Sequence, residues 1–292
     1  MQNSANAPIY AFSPYGLANR LLGLASAMHL CAILNRPLVL VWKLTADIGH
    51  VEFHALYQND LHVMPHPPID LYTVLGNSPL SVESFPASIP TLLICHDLCL
   101  FPGINKKSIR PYLRSLRPMK AIEEQLLSFT TAHSFENTVG VHLRKGDKWR
   151  GLPCKASRRQ IEDQYNKVIR LIILQSNLQI YLSCDDLAEQ LKYKQLYGSR
   201  IIFSRQRENP LKRNSRSLPD AVIDLHLLSH TKAVLYGAGT FGYTAYVMGP
   251  TKGGNILYSK SDFFYFFPEL LGLIPDCFPK PEAIVASAIS DK

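Results

Sequence analysis

The 292-residue sequence lacks several features that would assign a protein to a class directly. It contains no paired C-x-x-C motifs, no D-x-D motif and no N-x-[ST] sequon. Paired C-x-x-C motifs are typical of zinc sites, so we expect no zinc site here. The six cysteines are then expected to be reduced thiols in a cytosol-like compartment. A Cys95–Cys99 disulfide stays open if the chain is a trimmed secretory-pathway domain.

Targeting and membrane-spanning segments are also missing from the sequence pattern. The first residues, MQNSANAPIYAF, have neither the basic region nor the apolar region of a signal peptide. No uninterrupted apolar run approaches the roughly 18 residues that span a bilayer. We therefore expect a cytoplasmic protein without a membrane span. The net charge of +8 favours anionic ligands, but the basic residues form only loose clusters, so nucleic acid is not the expected partner.

What the sequence does contain is an alternation of apolar strands and helices. APIYAF and PLVLVW flank a helical pattern that should end before Asn35. After residue 137, the segments NTVGVHLRKGD, LQIYLSCDD, RIIFS and KAVLY predict strands with helices between them. This alternation predicts doubly wound parallel α/β sheets with ligands at the carboxyl ends of the strands. Residues 60–110 are rich in proline and are predicted to be irregular.

A glycine loop lies in the segment AVLYGAGTFGYTAYVMG (233–249). The G-x-G-x-x-G spacing of dinucleotide-binding loops is formed by Gly237, Gly239 and Gly242. Asp262 lies where such a site has its ribose-binding acid, but Pro250 limits the helix to about ten residues and too little chain follows for a dinucleotide domain. We interpret the loop as a late diphosphate-binding turn of a Rossmann-like nucleotide domain. A turn that only packs is the alternative.

The predicted strand VGVHLRKGD ends in groups that suit a diphosphate. Arg144 can form two parallel hydrogen bonds with phosphate oxygens, and its permanent charge can stabilise a departing nucleoside diphosphate. His142 lies two positions earlier and therefore shares its side of the strand. Taken alone, His-x-Arg is more often a buried histidine beside a surface arginine than a phosphate site.

Three motifs in this order resemble the fucosyltransferase superfamily, especially core α-1,6-fucosyltransferases and the rhizobial nodulation fucosyltransferase. VHLRKGD is similar to that family's H-x-R-R-x-D motif, with Lys145 replacing the second arginine. IYLSCDD resembles the family's strand with paired aspartates. The segment VIDLHLLSHTKAVL is similar to the family's D-I-H-x-L-S-x-A-D segment. The resemblance implies a GT-B fold with two Rossmann-like domains facing a cleft. We expect an acceptor-side domain over 1–135, a nucleotide-sugar-binding domain over 136–260 and an aromatic tail over 261–292 that packs on them.

The resemblance also implies an activity. It indicates an inverting, metal-independent glycosyltransferase that moves a sugar from a nucleotide-sugar donor to a glycan acceptor, either an oligosaccharide or a glycoprotein glycan. GDP-fucose is the first donor expected, and a UDP-sugar such as UDP-xylose is the alternative. A non-catalytic nucleotide- or glycan-binding module is the alternative from another class. No cofactor or metal is expected, since the adjacent aspartates of CDD would point to opposite faces of a strand.

Roles for individual residues follow from the resemblance. Arg144 is expected to hold the donor β-phosphate, His142 to lie against the nucleotide and Asp224 to meet the base. The other residues expected on the donor side are Gly16, Asn19, Asp185, Asp186, Gly239, Thr240 and Phe241. From chemistry alone, Asp224 in an apolar helix needs a polar partner if it is buried, and the paired aspartates could instead cap the helix that follows them.

The general base is the point where this sequence departs from the family. The acid/base carboxylate proposed for the core enzymes falls near Leu152, so this chain does not supply it. An inverting transfer needs the acceptor hydroxyl deprotonated by a carboxylate or histidine within hydrogen-bond reach. Asp147 is the first candidate, although it could equally form a salt bridge with Arg144. Asp47 and His50 are the acceptor-side candidates.

Overall fold

The computed structural model describes residues 6–76, 85–95, 104–145, 155–204, 217–237, 239–249, 252–256, 285–286 and 289. The chain divides into two units, Met1–Glu123 and Glu124–Lys292. Each unit contains a five-stranded sheet in which every described strand pair is parallel. The α/β class predicted from the strand and helix alternation is therefore confirmed.

The sheet of the N-terminal unit is built around its first strand. Its strands are β1 (Ile9–Phe12), β2 (Leu38–Val41), β3 (His62–Met64), β4 (Tyr72–Leu75) and β5 (Thr91–Ile94). They lie in the order β3-β2-β1-β5-β4. The helices are α1 (Leu17–Leu34), α2 (Lys106–Arg114) and α3 (Lys120–Ala132), and the division between the units falls within α3.

Helix α1 follows β1 directly and forms much of this unit's core. It ends where the sequence predicts, because Asn35 adopts the left-handed conformation (φ 51°) that closes many helices. Its side chains include the fully buried Leu21, Leu22 and Leu30. Among the described helices, α1 is the one long and apolar enough to cross a membrane, but 67% of that stretch is buried inside the protein. Burial to this extent is typical of a core helix.

The prediction that residues 60–110 are irregular is wrong. β3, β4, β5 and the start of α2 lie in this range. The three strands have only three or four residues each, Pro65 follows β3 and Pro90 precedes β5. β3 and β4 are the edge strands of the sheet and are partly exposed, so no long apolar run marks them. Pairing with neighbouring strands stabilises them more than their own sequence does.

The C-terminal unit has the doubly wound arrangement that the sequence predicts. Its strands are β6 (Thr138–Leu143), β7 (Gln179–Cys184), β8 (Ile201–Ile202), β9 (Ala233–Tyr236) and β10 (Gly253–Asn255). Its helices are α4 (Lys155–Gln175), α5 (Leu187–Tyr197), α6 (Leu218–His230) and α7 (Thr240–Met248). The strand order β10-β9-β6-β7-β8 equals 5-4-1-2-3 within the unit, which is the order of the first five strands of a Rossmann sheet.

β6 is the central strand of this sheet, and all six of its residues are buried. Val139, Val141 and Leu143 join the apolar core that includes α4. Gly140 faces the opposite layer, where a Cβ atom would lie 2.7 Å from Thr231 Oγ1 beyond the end of α6. Alternate side chains of a strand point to opposite faces, so His142 lies on the same side as Gly140. Of the predicted tail 261–292, the described part includes Val285, which is buried in the same core as β6.

Candidate functional site

The order of the strands determines where a ligand fits in the C-terminal unit. Doubly wound sheets bind ligands at the carboxyl ends of the strands, at the point where the strand order reverses. Here that point lies between β6 and β9, which are hydrogen-bonded neighbours. Arg144 immediately follows β6, and the glycine loop immediately follows β9. The topology therefore brings together two motifs that are distant in sequence.

Side-chain contacts join the same two motifs. The rings of His142 and Phe241 stack with centroids 5.1 Å apart and an angle of 30° between their planes. Arg144 is half-buried, and its guanidinium lies against Gly239, where a Cβ atom would be 3.1 Å from Nη1. Tyr165 of α4 donates a hydrogen bond of 2.9 Å to the carbonyl of His142, which fixes the end of β6 from the other side. The His-x-Arg segment and the glycine loop, each of which is expected to bind a diphosphate, therefore lie side by side in the structure.

Two glycines of the loop are required for different physical reasons. Gly239 has φ 99° and ψ 160°, a conformation that is essentially restricted to glycine. Gly242 is in α7 with ordinary helical geometry, but a Cβ atom there would lie 2.4 Å from Tyr236 Cβ and 2.9 Å from His142 Nδ1. Gly242 therefore allows α7 to pack closely on β6 and β9, which is the role of the third glycine in a nucleotide-binding loop.

The N-terminus of α7 points its first amides toward the glycine loop. The helix begins at Thr240 and has nine residues, as expected from the position of Pro250. The first N–H groups of a helix have no acceptor within the helix, and Gly239 has no side chain that could cap them. Such a terminus attracts anions through its N–H groups and its dipole. Arg144 and the start of α7 are therefore two adjacent electropositive groups.

Asp224 of α6 is 1% exposed and is held by hydroxyl groups. Its carboxylate accepts hydrogen bonds from Tyr181 and Ser204, both at 2.6 Å, and from Ser183 at 3.1 Å. These donors meet the requirement that a buried carboxylate have polar partners. They also connect α6 with β7 and with the segment that follows β8.

His226 lies two residues beyond Asp224 on the same helix and is also buried. Burial, and to a smaller extent the charge of His230, lower the pKa of His226 to about 4. The imidazole is therefore neutral near pH 7, and it is 7% exposed.

The paired aspartates after β7 have separate contacts. Asp185 accepts a hydrogen bond of 2.7 Å from the backbone N–H of Lys145. Asp186 is the N-cap of α5 and accepts from the N–H of Ala188 at 3.0 Å. The capping role considered from the sequence is therefore present for Asp186. A role of either carboxylate toward a ligand stays a prediction.

In the N-terminal unit, the candidate residues lie at the start of α1. Gly16 is the N-cap with φ −65°, no side-chain cap is present, and a Cβ atom at Gly16 would meet nothing within 4 Å. Asn19 is half-buried in the first turn.

Arg20 was missed by the sequence analysis, although a charged residue in so apolar a helix signals a need for partners. Its guanidinium donates to the carbonyls of Tyr15 (2.7 Å) and Lys43 (2.8 Å), so it joins the loop before α1 to the loop after β2.

The candidates for the general base are the least defined. Asp147 lies outside the described residues, as does Asp262. Asp47 belongs to a short 3₁₀ helix, Ala46–Ile48, after β2, and its side chain lies outside the described part of the structure. His50 is exposed and has φ 56°. Within the described ranges, no group of three histidine, cysteine or acidic residues could hold a metal ion.

No family model matches the sequence, and no curated protein matches it. Solved structures, however, are similar to this chain. NodZ α-1,6-fucosyltransferase soaked with GDP-fucose is 16% identical, with a TM-score of 0.62 over 89% of this chain and 97% of that chain. Fucosyltransferase NodZ from Bradyrhizobium is 16% identical, with a TM-score of 0.57 over 85% and 95%. A mutant of Arabidopsis thaliana FUT1 in complex with GDP is 14% identical, with a TM-score of 0.55 over 88% and 71%.

The chain has the fold of these fucosyltransferases. The resemblance inferred from three short motifs is confirmed at the level of the fold. The similarity extends well beyond the motif region, because it covers most of both units.

Proposed function

We propose that this chain is an inverting glycosyltransferase that uses a nucleotide-sugar donor, with GDP-fucose as the first candidate. One observation carries the proposal. Arg144 and the N-terminus of α7 lie side by side at the point where the strand order of a Rossmann-like sheet reverses. Fold similarity to a fucosyltransferase soaked with GDP-fucose and to another in complex with GDP supports this choice of donor.

In the proposed reaction, the donor diphosphate lies between the Arg144 guanidinium and the start of α7. An acceptor hydroxyl attacks the anomeric carbon from the side opposite the diphosphate, the bond from that carbon to the phosphate oxygen breaks, and the configuration inverts. Negative charge grows on the leaving diphosphate as the bond breaks. Fixed positive groups at that position stabilise the transition state more than the ground state. The charge is balanced without a metal ion.

The nucleoside is proposed to lie between the His142–Phe241 ring pair and Asp224. A guanine base offers N–H donors, which would have to replace hydroxyl donors now bonded to the Asp224 carboxylate. Asp185, Asp186, Gly239 and Thr240 are proposed to border the nucleotide from the C-terminal unit, and Gly16 and Asn19 from the N-terminal unit. A UDP-sugar donor is the alternative and would leave Asp224 with a different set of partners.

The proton of the acceptor hydroxyl needs a base. We propose Asp147 first, with Asp47 and His50 as the alternatives, because each follows the carboxyl end of a strand. The acceptor is proposed to be a glycan bound by an N-terminal domain ending near residue 135. In this proposal the two units are GT-B domains that face a cleft. A cytosol-like location is part of the proposal, and a trimmed secretory-pathway domain is its alternative.

The proposal is tested with nucleoside diphosphates and their sugars. A ligand at 100 times its dissociation constant stabilises the folded state by about 2.7 kcal/mol. Thermal unfolding should therefore shift upward with GDP and GDP-fucose, and GDP-fucose should be consumed when a suitable glycan from an acceptor panel is added. Binding of GDP-sugars and UDP-sugars without turnover of either would favour a binding module. Binding of NAD in place of both would restore the dinucleotide interpretation.

A further inference from the structure

Lys145 occupies the position of the second arginine in the motif of the resembling family, but its ammonium is bonded to the protein. It forms ion pairs with Glu162 of α4, at 2.9 Å, and with Glu189 of α5. Desolvation lowers the pKa of Lys145, but the hydrogen bonds and charges of Glu189 and Glu162 outweigh it and raise the pKa above the ordinary lysine value. The side chain is 18% exposed. Two carboxylates thus neutralise this cation on the α4 and α5 face of the sheet.

The main chain of Lys145 is held independently by Asp185. The N–H of Lys145 donates to Asp185 Oδ1 at 2.7 Å. Asp185 follows β7, which pairs with β6 over its whole length. Lys145 is therefore tied through its N–H to the end of β7 and through its ammonium to α4 and α5.

These bonds act on Arg144 because of the planarity of the peptide group. The N–H of Lys145 and the carbonyl of Arg144 belong to one rigid plane, so a hydrogen bond to that N–H restricts the backbone rotation of Arg144. Successive side chains point to opposite sides of an extended chain. With Lys145 bonded to Glu162 and Glu189 on one side, Arg144 lies against Gly239 on the other.

We propose that Asp185 is a positioning residue for Arg144, and that the Lys145 ammonium is an anchor for the end of β6 and not a second phosphate ligand. The inference rests on the proposed function, in which Arg144 binds the donor diphosphate. For Asp185, it replaces the bordering role proposed above with a task that needs no contact with the nucleotide. The tie is a short hydrogen bond to the peptide that follows the catalytic arginine.

Three variants separate positioning from direct binding. Asp185→Ala removes the acceptor, whereas Asp185→Asn keeps an oxygen that can accept from the Lys145 N–H but removes the charge. Lys192→Ala is the matched control, because Lys192 is exposed and pairs with the same Glu189 at 3.4 Å. We expect Asp185→Ala to lower kcat on the order of 10²-fold, as small misplacements of a catalytic group do. Asp185→Asn should recover much of the kcat that Asp185→Ala loses, and Lys192→Ala should stay near the wild type.

A double variant tests the route of the effect. In an Arg144→Ala background, Asp185→Ala should lower kcat no further, because the group that it positions is already gone. Lys145→Met should weaken donor binding far less than Arg144→Ala does. If Asp185→Asn is as impaired as Asp185→Ala and both lose donor affinity, Asp185 contacts the donor and the positioning role is overturned. A Lys145→Met loss equal to that of Arg144→Ala would overturn the anchor.

A ligand-free measurement separates this inference from the proposed function. The Arg144 Nε–H signal in NMR reports the order of the guanidinium without any substrate. Asp185→Ala should increase the motion of this group, and Asp185→Asn and Lys192→Ala should not. Unchanged motion in Asp185→Ala overturns the positioning role. Failure of the wild type to bind any nucleotide sugar overturns the proposed function, and the NMR result still decides whether Asp185 positions Arg144.

Discussion

Gly239 and the guanidinium of Arg144 are in direct contact, with only 3.1 Å between Arg144 Nη1 and the place where a Cβ atom of residue 239 would lie. The same glycine has φ 99°. It therefore meets two requirements at once: a backbone conformation that other residues rarely adopt, and space for a cation beside the start of α7. A substitution there affects both the loop and the arginine.

Gly239→Ala should lower both stability and transfer. The positive φ alone should cost on the order of 1–3 kcal/mol, and the new methyl group displaces Arg144 by a few tenths of an ångström. Gly198→Ala is the matched control, because Gly198 has φ 56° and nothing within 4 Å of its Cβ position. Urea unfolding should show a loss for both variants, whereas sugar transfer should fall only for Gly239→Ala. Equal transfer by the two would mean that the contact with Arg144 is irrelevant to function.

Arg144→Ala should lower kcat about 10²- to 10³-fold, or roughly 2.7–4 kcal/mol, as the loss of one preorganised charge-stabilising donor does. Arg144→Lys should not restore the rate, because it keeps the charge but loses the two-pronged geometry. Initial rates at saturating donor, with circular dichroism as the check of folding, measure the effect. Near-normal transfer by Arg144→Ala would remove the main support of the proposed mechanism.

Gly16→Ala tests the predicted donor contact in the N-terminal unit without a packing penalty. The Cβ atom would meet nothing within 4 Å, and φ −65° is accessible to alanine. Alanine is a poorer N-cap but has less freedom to lose on folding, so the net change in stability should stay within about 1 kcal/mol. If donor backbone contacts occur here, calorimetry should show weaker GDP-fucose binding. Unchanged affinity would remove Gly16 from the donor site.

Acid should destabilise the protein partly through His226. Its pKa in the folded state is about 4, below the roughly 6.5 of an unfolded histidine, so the unfolded state binds more protons between these values. Stability from this group is complete above about pH 6.5 and decreases as the pH falls toward 4, by at most about 3 kcal/mol. His226→Gln should reduce the slope of the unfolding free energy in this pH window. Parallel curves for the two proteins would contradict the assignment to His226.

Transfer should continue in excess EDTA. The proposed site uses Arg144 and the α7 terminus for the positive charge that a divalent cation supplies in other glycosyltransferases, so chelation removes nothing that the reaction needs. Initial rates with EDTA, and after addition of Mg²⁺ or Mn²⁺, provide the measurement. A rate abolished by EDTA and restored by either metal would show that an ion takes part.

Local sequence patterns predict the elements of the C-terminal unit well, because its strands are apolar runs and its helices have clear periodicity. The meeting of Arg144 with Gly239 was also predictable, since both follow strands whose carboxyl ends meet at one edge of a sheet. β10 was not predictable in this way. It begins with two glycines, and Gly253 lies so close to the carbonyl of Val234 that a Cβ atom would be 2.0 Å from its oxygen.

Partners of individual site residues were harder to predict than the elements. The bond from Lys145 N–H to Asp185 joins residues in different loops, and the pairing of Lys145 with Glu162 and Glu189 depends on how two helices pack. The spacing of residues in the sequence predicts neither how two loops meet nor how two helices pack. The N-cap role of Asp186 could be anticipated, because it requires only the residues that immediately follow it.

The central position of β6 has a consequence for synthesis of the chain. β6 pairs on one edge with β7, which follows it, and on the other with β9, which the ribosome adds only after β7, β8 and three helices. Until Tyr236 has emerged, one edge of β6, a strand whose six residues are all buried in the folded protein, stays without its partner. Exposed edges of this kind are templates for pairing with other chains, so truncation before β9 should turn the nascent C-terminal unit into an aggregation-prone intermediate.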